Sequence, residues 1–121
     1  MQLLSFGFKY GSLQPIDSLF DVRFLKNPYF DKKLKDLTGL DKSVQDYILK
    51  DSTGQAMLDR LTAWHEWLLP EFYREGKSLF RIGIACTGGQ HRSVTLVEKL
   101  YEVLKDKKLA HITLTKHHRD L

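Results

Sequence analysis

The 121-residue sequence has one cysteine, Cys86, which excludes an internal disulfide. It has no run approaching the roughly 18 apolar residues of a membrane-spanning helix, and residues 1–8 lack the charged start and cleavage site of a signal peptide. It also lacks a Gly-x4-Gly-Lys-Ser/Thr loop, which removes the P-loop ATPases, and it has no internal repeat and no low-complexity tract. The chain therefore reads as one cytoplasmic domain, 1–121, with no membrane association and with no cofactor or metal implied.

Enough is present for an ordinary core: 42% of residues are hydrophobic and 12% aromatic. The net charge of +4 is unevenly placed, because residues 1–75 hold 10 of the 19 Lys/Arg but 11 of the 15 Asp/Glu. The excess of bases lies in the carboxyl-terminal part. There Lys105, Lys107, Lys108, Lys116 and Arg119, with His111, His117 and His118, offer phosphate contacts to RNA or another polyanion. The plain alternative is a solvated face and a frayed end.

Residues 3–8 and 19–25, rich in aromatic and branched side chains, predict two short strands of one sheet. Residues 26–39 predict a long loop, and loops of that length tend to be functional. Asp41 predicts the cap of a short helix through Leu49. A longer helix follows with Leu58, Leu61, Trp64, Trp67 or Leu68, and Phe72 at helical spacing; Trp64 and Trp67 are expected in the core, His65 is expected as a packed or surface histidine, and Pro70 is expected to break or kink the helix. Residues 79–86 predict a strand, 91–105 a helix buried through Val94, Val97, Leu100 or Tyr101, and Leu104, and 110–115 a last strand. The expected fold is a single α/β domain with a mixed, mostly parallel sheet flanked by helices, because strand, loop, helix, strand is by default a right-handed crossover.

The most informative stretch is Phe80-Arg81-Ile82-Gly83-Ile84-Ala85-Cys86-Thr87-Gly88-Gly89-Gln90-His91-Arg92-Ser93, a buried-strand pattern that enters a glycine loop and then a helix start. Glycines let successive backbone N–H groups turn toward one point, the helix start adds unpaired N–H groups, and an arginine adds a bidentate charged contact, so this unit suits a phosphate. Thr87, Gly88, Gly89, Gln90, His91, Arg92 and Ser93 are the candidate ligand residues. The same letters spell Cys-x5-Arg-Ser, the loop of cysteine-dependent phosphatases, in which a thiolate attacks phosphorus. Against catalysis, Ala85 stands where those enzymes usually have histidine and no Trp-Pro-Asp acid loop exists; Leu69-Pro70-Glu71 falls in a helix. Binding without cleavage is thus the expectation, with the phosphatase and a pure RNA-binding module as alternatives. Asp21, Arg23 and Asn27 end the second strand and are further candidates, the first two either facing the ligand or forming a surface ion pair.

Four blocks carry a family resemblance: Ser5-Phe6-Gly7-Phe8-Lys9-Tyr10-Gly11, Phe20-Asp21-Val22-Arg23-Phe24-Leu25-Lys26-Asn27-Pro28, Leu37-Thr38-Gly39-Leu40-Asp41-Lys42, and residues 83–93. In order and spacing they resemble the carboxyl-terminal domain of the RNase adapter RapZ, without that family's amino-terminal P-loop domain. The resemblance implies binding of an amino-sugar phosphate, glucosamine-6-phosphate. It also implies, for some members, RNA binding with presentation to a ribonuclease, and homo-oligomer assembly. By matching position the ligand residues would be Asp21, Thr87, Gly88, Gly89, His91 and Arg92, with Arg23 and Asn27 nearby. Tyr10 and Tyr29 depart from the family's histidines at these positions, and the basic tail is matched only at its start, Lys116-His117-His118-Arg119.

Overall fold

Four strands, β1 (Gln2–Gly7), β2 (Ser18–Asp21), β3 (Arg81–Cys86) and β4 (Thr115–His118), form a sheet in the order β2-β3-β1-β4. In the computed structural model, which describes all residues except 13, 14, 108, 110 and 111, every pairing is parallel. The sheet is thus stricter than the mixed one expected. Lys108, His111 and the first part of the predicted strand 110–115 lie outside the described residues. The observed last strand sits further along, at Thr115–His118, where Thr115 pairs with Gln2 and His118 with Ser5.

Because side chains alternate across a strand, Leu3, Ile82, Ile84 and Cys86 share one face. That face packs against Val44 and Ile48 of α1 (Lys42–Lys50), Leu58, Leu61 and Leu69 of α2 (Ser52–Glu75), and Leu96, Val97, Leu100 and Leu104 of α3 (Arg92–Asp106). Burying each such side chain contributes about 1.5 to 3 kcal/mol. The other face holds Leu4, Phe6 and Ala85, all buried, and the Cδ1 of Ile16 closes over Gly83.

Three expectations about the helices are corrected. From Leu61 a helical stripe can step three residues to Trp64 or four to His65, and the chain takes the second: His65 is fully buried, while Trp64 and Trp67 are 47% and 59% exposed and lean on each other at 5.4 Å. Pro70 does not break α2, which runs on through it to Glu75. Asp41 stands at the start of α1, but its carboxylate accepts from the Thr38 N–H at 2.9 Å instead of capping the helix. Strand β2 also stops at Asp21, short of residue 25, because Val22 and Leu25 turn into the core.

Candidate functional site

Parallel pairing brings the carboxyl ends of the strands to one edge, where Gly7 and Cys86 stand side by side. Two glycines are required by close approach. A Cβ on Gly7 would lie 2.4 Å from the carbonyl carbon of Gly88, and Gly89 combines φ +70° with a Cβ position 2.6 Å from the Gly7 nitrogen. The glycine loop therefore lies backbone to backbone on the end of β1, and the Lys9 N–H donates to Thr87 O at 3.2 Å.

A cleft of about 330 Å³ opens there, lined by Lys9, Asn27, Tyr29, Cys86, Thr87, Gly88, Gln90, His91 and Arg92. A wider hollow beside Phe24, Ser52, Thr53 and Arg60, about 460 Å³, gathers one cation and two hydroxyls. Convergence of donors, not size, singles out the first. Arg92 is buried. Its Nη1 donates to the carbonyls of Arg23 and Leu25, the latter at 3.2 Å, while Nε and Nη2 make no hydrogen bond among the described residues. Arg92 thus anchors the turn after β2 and keeps donors for a ligand. His91 Nε2 lies 3.1 Å from Lys35 O, so the proton on that nitrogen is spent on the loop carbonyl.

Gln90 holds the long loop closed through Nε2, which donates to Lys35 O at 3.0 Å and Leu37 O at 2.8 Å, and the Gly39 N–H donates back to Gln90 O at 2.9 Å. Asn27 caps the 3₁₀ turn Pro28–Phe30 with its Oδ1, on which Tyr29 N–H donates at 3.1 Å, and turns its remaining surface to the cleft.

Of the residues predicted from sequence, Asn27, Thr87, Gly88, Gln90, His91 and Arg92 line the cleft, while Asp21, Arg23, Gly89 and Ser93 do not. Gly89 faces Gly7. Ser93 is fully buried, its Oγ 3.1 Å from Cys86 Sγ. Asp21 accepts from the Arg23 N–H and from both Nε and Nη2 of that side chain, and these hydrogen bonds hold its carboxyl below the usual carboxylate range. Lys9 was missed by sequence reasoning: only the adjacency of β1 and β3 places it beside Gly88, whose Cβ position lies 3.9 Å from Lys9 Nζ. Tyr29 enters the wall, with Lys35 Nζ 4.6 Å from its ring centre. Glu71, the look-alike acid, pairs with Arg74 in the last turns of α2 and is not in the cleft. Among the described residues no three His, Cys, Asp or Glu side chains converge as a metal site, and no helix is long and apolar enough to cross a membrane.

Among its described residues the basic tail is largely paired. Lys116 Nζ donates to Glu98 at 2.9 Å, and His118 bridges Glu98 at 2.8 Å and Ser5 Oγ at 2.7 Å. Arg119 lies over the Phe6 ring and grips Asp120, whose Oδ2 in turn accepts from the Gly7 N–H at 2.7 Å. Lys107 pairs with Glu66 at 3.1 Å, and Lys105 lies 5.6 Å from the Tyr101 ring centre; His117 is exposed.

The family described as the RapZ C-terminal domain matches residues 1–121. Nucleotide-binding proteins of Bacillus thuringiensis (strain Al Hakam), Bacillus mycoides (strain KBAB4) and Bacillus cereus (strain B4264) are each 48% identical over 121 residues. The match takes in 100% of this chain and 40% of each relative, so the chain spans less than half the length of these curated relatives.

Proposed function

The chain belongs to the RapZ C-terminal domain family, and from that premise we propose that it binds a phosphorylated sugar in the cleft above β3, without cleaving it, as a regulatory sensor. One observation carries the reading: Lys9, Thr87, Gly88 and Arg92, whose Nε and Nη2 make no hydrogen bond among the described residues, line a single cleft at the start of α3. A phosphate oxygen there meets the buried Arg92, the exposed Lys9 and the positive end of a helix. Glucosamine-6-phosphate, which the family resemblance supplies, is the reference compound. Arg92→Ala is expected to weaken phosphosugar affinity by about 1.5 to 3 kcal/mol, the range for charged hydrogen bonds. Calorimetry that finds wild type and variant equal, or no binding of sugar phosphate or inorganic phosphate by wild type, defeats the reading. A para-nitrophenyl phosphate assay tests the phosphatase alternative, in which turnover would vanish in Cys86→Ser.

A second reading, RNA binding at the same edge, is favoured by four cation and aromatic pairs. Lys9 lies 5.1 Å from the Tyr10 ring centre, Arg23 4.3 Å from Phe8, Lys26 4.3 Å from Tyr47, and Lys35 4.6 Å from Tyr29. Bases and charge interleaved in this way suit a single strand. Filter binding of wild type and of Lys26→Gln/Lys35→Gln tests it, with weaker retention expected in the variant. Presentation of RNA to a ribonuclease, and homo-oligomer assembly, are further proposals from the resemblance, to be tested by co-purification and light scattering.

A further inference from the structure

Met57, Arg60, Trp64, Trp67, Glu71 and Arg74 follow one another along α2 at alternating steps of three and four residues, the spacing that keeps a seam on one side of a helix. The core takes a different side. Leu58, Leu61, His65 and Leu69 are buried, whereas every member of the seam from Arg60 to Arg74 is exposed. At its middle Trp64 and Trp67 stand together in water, a continuous apolar patch and not a scattered side chain.

The order of the seam says what covers it. A second α2 laid antiparallel, with a two-fold axis midway between Trp64 and Trp67, sets Trp64 of each chain against Trp67 of the other, Arg60 against Glu71, and Met57 against Arg74. Two opposite-charge contacts then flank the rings. Laid parallel and in register, the same two helices would set Arg60, Glu71 and Arg74 each against its like, which disfavours that arrangement. Glu71 already pairs with Arg74 within the chain, but both are exposed, so sharing the carboxylate with a second arginine costs little. Past Arg60 the seam runs into the hollow beside Phe24, Ser52, Thr53 and Met57, where the Arg74 end of the second helix would arrive.

We propose that α2 is a self-association surface on which two copies of this chain pair antiparallel about a two-fold axis, each Trp64 on the other copy's Trp67 and each Arg60 with the other copy's Glu71. None of these residues lines the glycine-loop cleft, so the inference stands apart from the phosphosugar reading. It gives a surface to the homo-oligomer assembly proposed above, and its test separates the two.

Sedimentation velocity of the 121-residue chain over a concentration series is that test, with wild type expected to pass from monomer to dimer. Trp64→Ala/Trp67→Ala, with helix content verified by circular dichroism, is expected to raise the dimer dissociation constant about hundredfold or more, as loss of two aromatic anchors per chain implies. Arg60→Glu and Glu71→Arg are each expected to raise it about tenfold, and the two together to return it to within about threefold of wild type. Within one helix these two positions lie about 16 Å apart along the axis, too far to pair, so recovery reports a contact between copies. If the tryptophan variant loses helix content, the charge reversals, made at exposed side chains, carry the test. A wild-type chain that stays monomeric overturns the proposal. A dimer that the folded tryptophan variant leaves unchanged overturns it too, while homo-oligomer assembly then stands on another surface. Charge reversals without effect, or without mutual recovery, overturn the antiparallel register.

Discussion

The glycine-loop cleft and the terminal strand β4 are both rich in bases, yet the structure treats their charges in opposite ways. In the cleft Arg92 spends Nη1 on backbone carbonyls and keeps Nε and Nη2 uncommitted. In β4 and just beyond it, Lys116, His118 and Arg119 are each tied to a carboxylate. A base in a sequence is therefore not yet a base available to a ligand. An acid set beside it by the fold is one way to consume it: among the described residues no carboxylate lines the cleft, while Glu98 and Asp120 stand beside the tail.

The hardest way to break this comparison is to separate its two halves, which meet through Gly7, bonded to Asp120 on one side and pressed on the glycine loop on the other. Gly7→Ala is expected to destabilise the fold by about 2 to 4 kcal/mol, since backbone atoms must move to admit the methyl group. Urea denaturation measures it. Gly11→Ala has open space around its Cβ position, but φ +89° with ψ 169° is a region essentially restricted to glycine, and the change is expected to cost about 1 to 3 kcal/mol from backbone strain alone.

Burial pushes the Glu98 carboxyl up, but hydrogen bonds from His118 and Lys116 outweigh it and hold the group below its ordinary 4.5. Its contribution is therefore present above about pH 4.5 and is lost as pH falls through the depressed folded value. Glu98→Gln is expected to cost about 1 to 2 kcal/mol at neutral pH, reduced by the partial exposure of Lys116, and to flatten that acid limb in denaturation curves taken across pH. Phosphosugar affinity is expected to stay unchanged in this variant.

A smaller effect tests the core beneath both regions. His65 Nδ1 lies 2.7 Å from Leu61 O and, since a carbonyl only accepts, carries the proton and donates it there, while Nε2 is buried without a partner among the described residues. Burial drives its pKa below 6.5. Stability is then complete above pH 6.5 and declines as pH falls from there toward the depressed folded value, because in that window the unfolded chain binds the proton more readily, with a slope of at most about 1.4 kcal/mol per pH unit. His65→Leu is expected to remove that slope, read from urea midpoints at successive pH values.

The smallest expected effect is at the tail. Lys107→Gln/Lys116→Gln is expected to change the salt slope of RNA binding by much less than the value of about 0.7 to 0.9 per lost phosphate contact, since both lysines already have carboxylate partners. A full loss of two contacts in filter binding would show that RNA pulls these pairs apart.

Much was legible in the chain. Alternation and apolar runs marked β1, β3 and α3 to within two residues, and the Gly88-Gly89 turn into a helix marked the loop that lines the cleft, because local periodicity and glycine geometry are properties of short segments. His65 and not Trp64 in the core was illegible, since the helical period admits both steps from Leu61 and only the opposing Phe20, 5.5 Å from the imidazole, decides between them.

Residue types within one stretch of chain were enough for a parallel crossover unit with a glycine loop between β3 and α3. Tertiary structure decided which charges remain open there. It set Lys9 beside Gly88 across a strand pairing, turned Ser93 onto Cys86, and closed Arg23 on Asp21 and Arg119 on Asp120. The physical reason is that a hydrogen bond or ion pair depends on positions a few ångströms apart in space, and strand order brings Gly7, Cys86 and His118 to one edge from chain positions 7, 86 and 118.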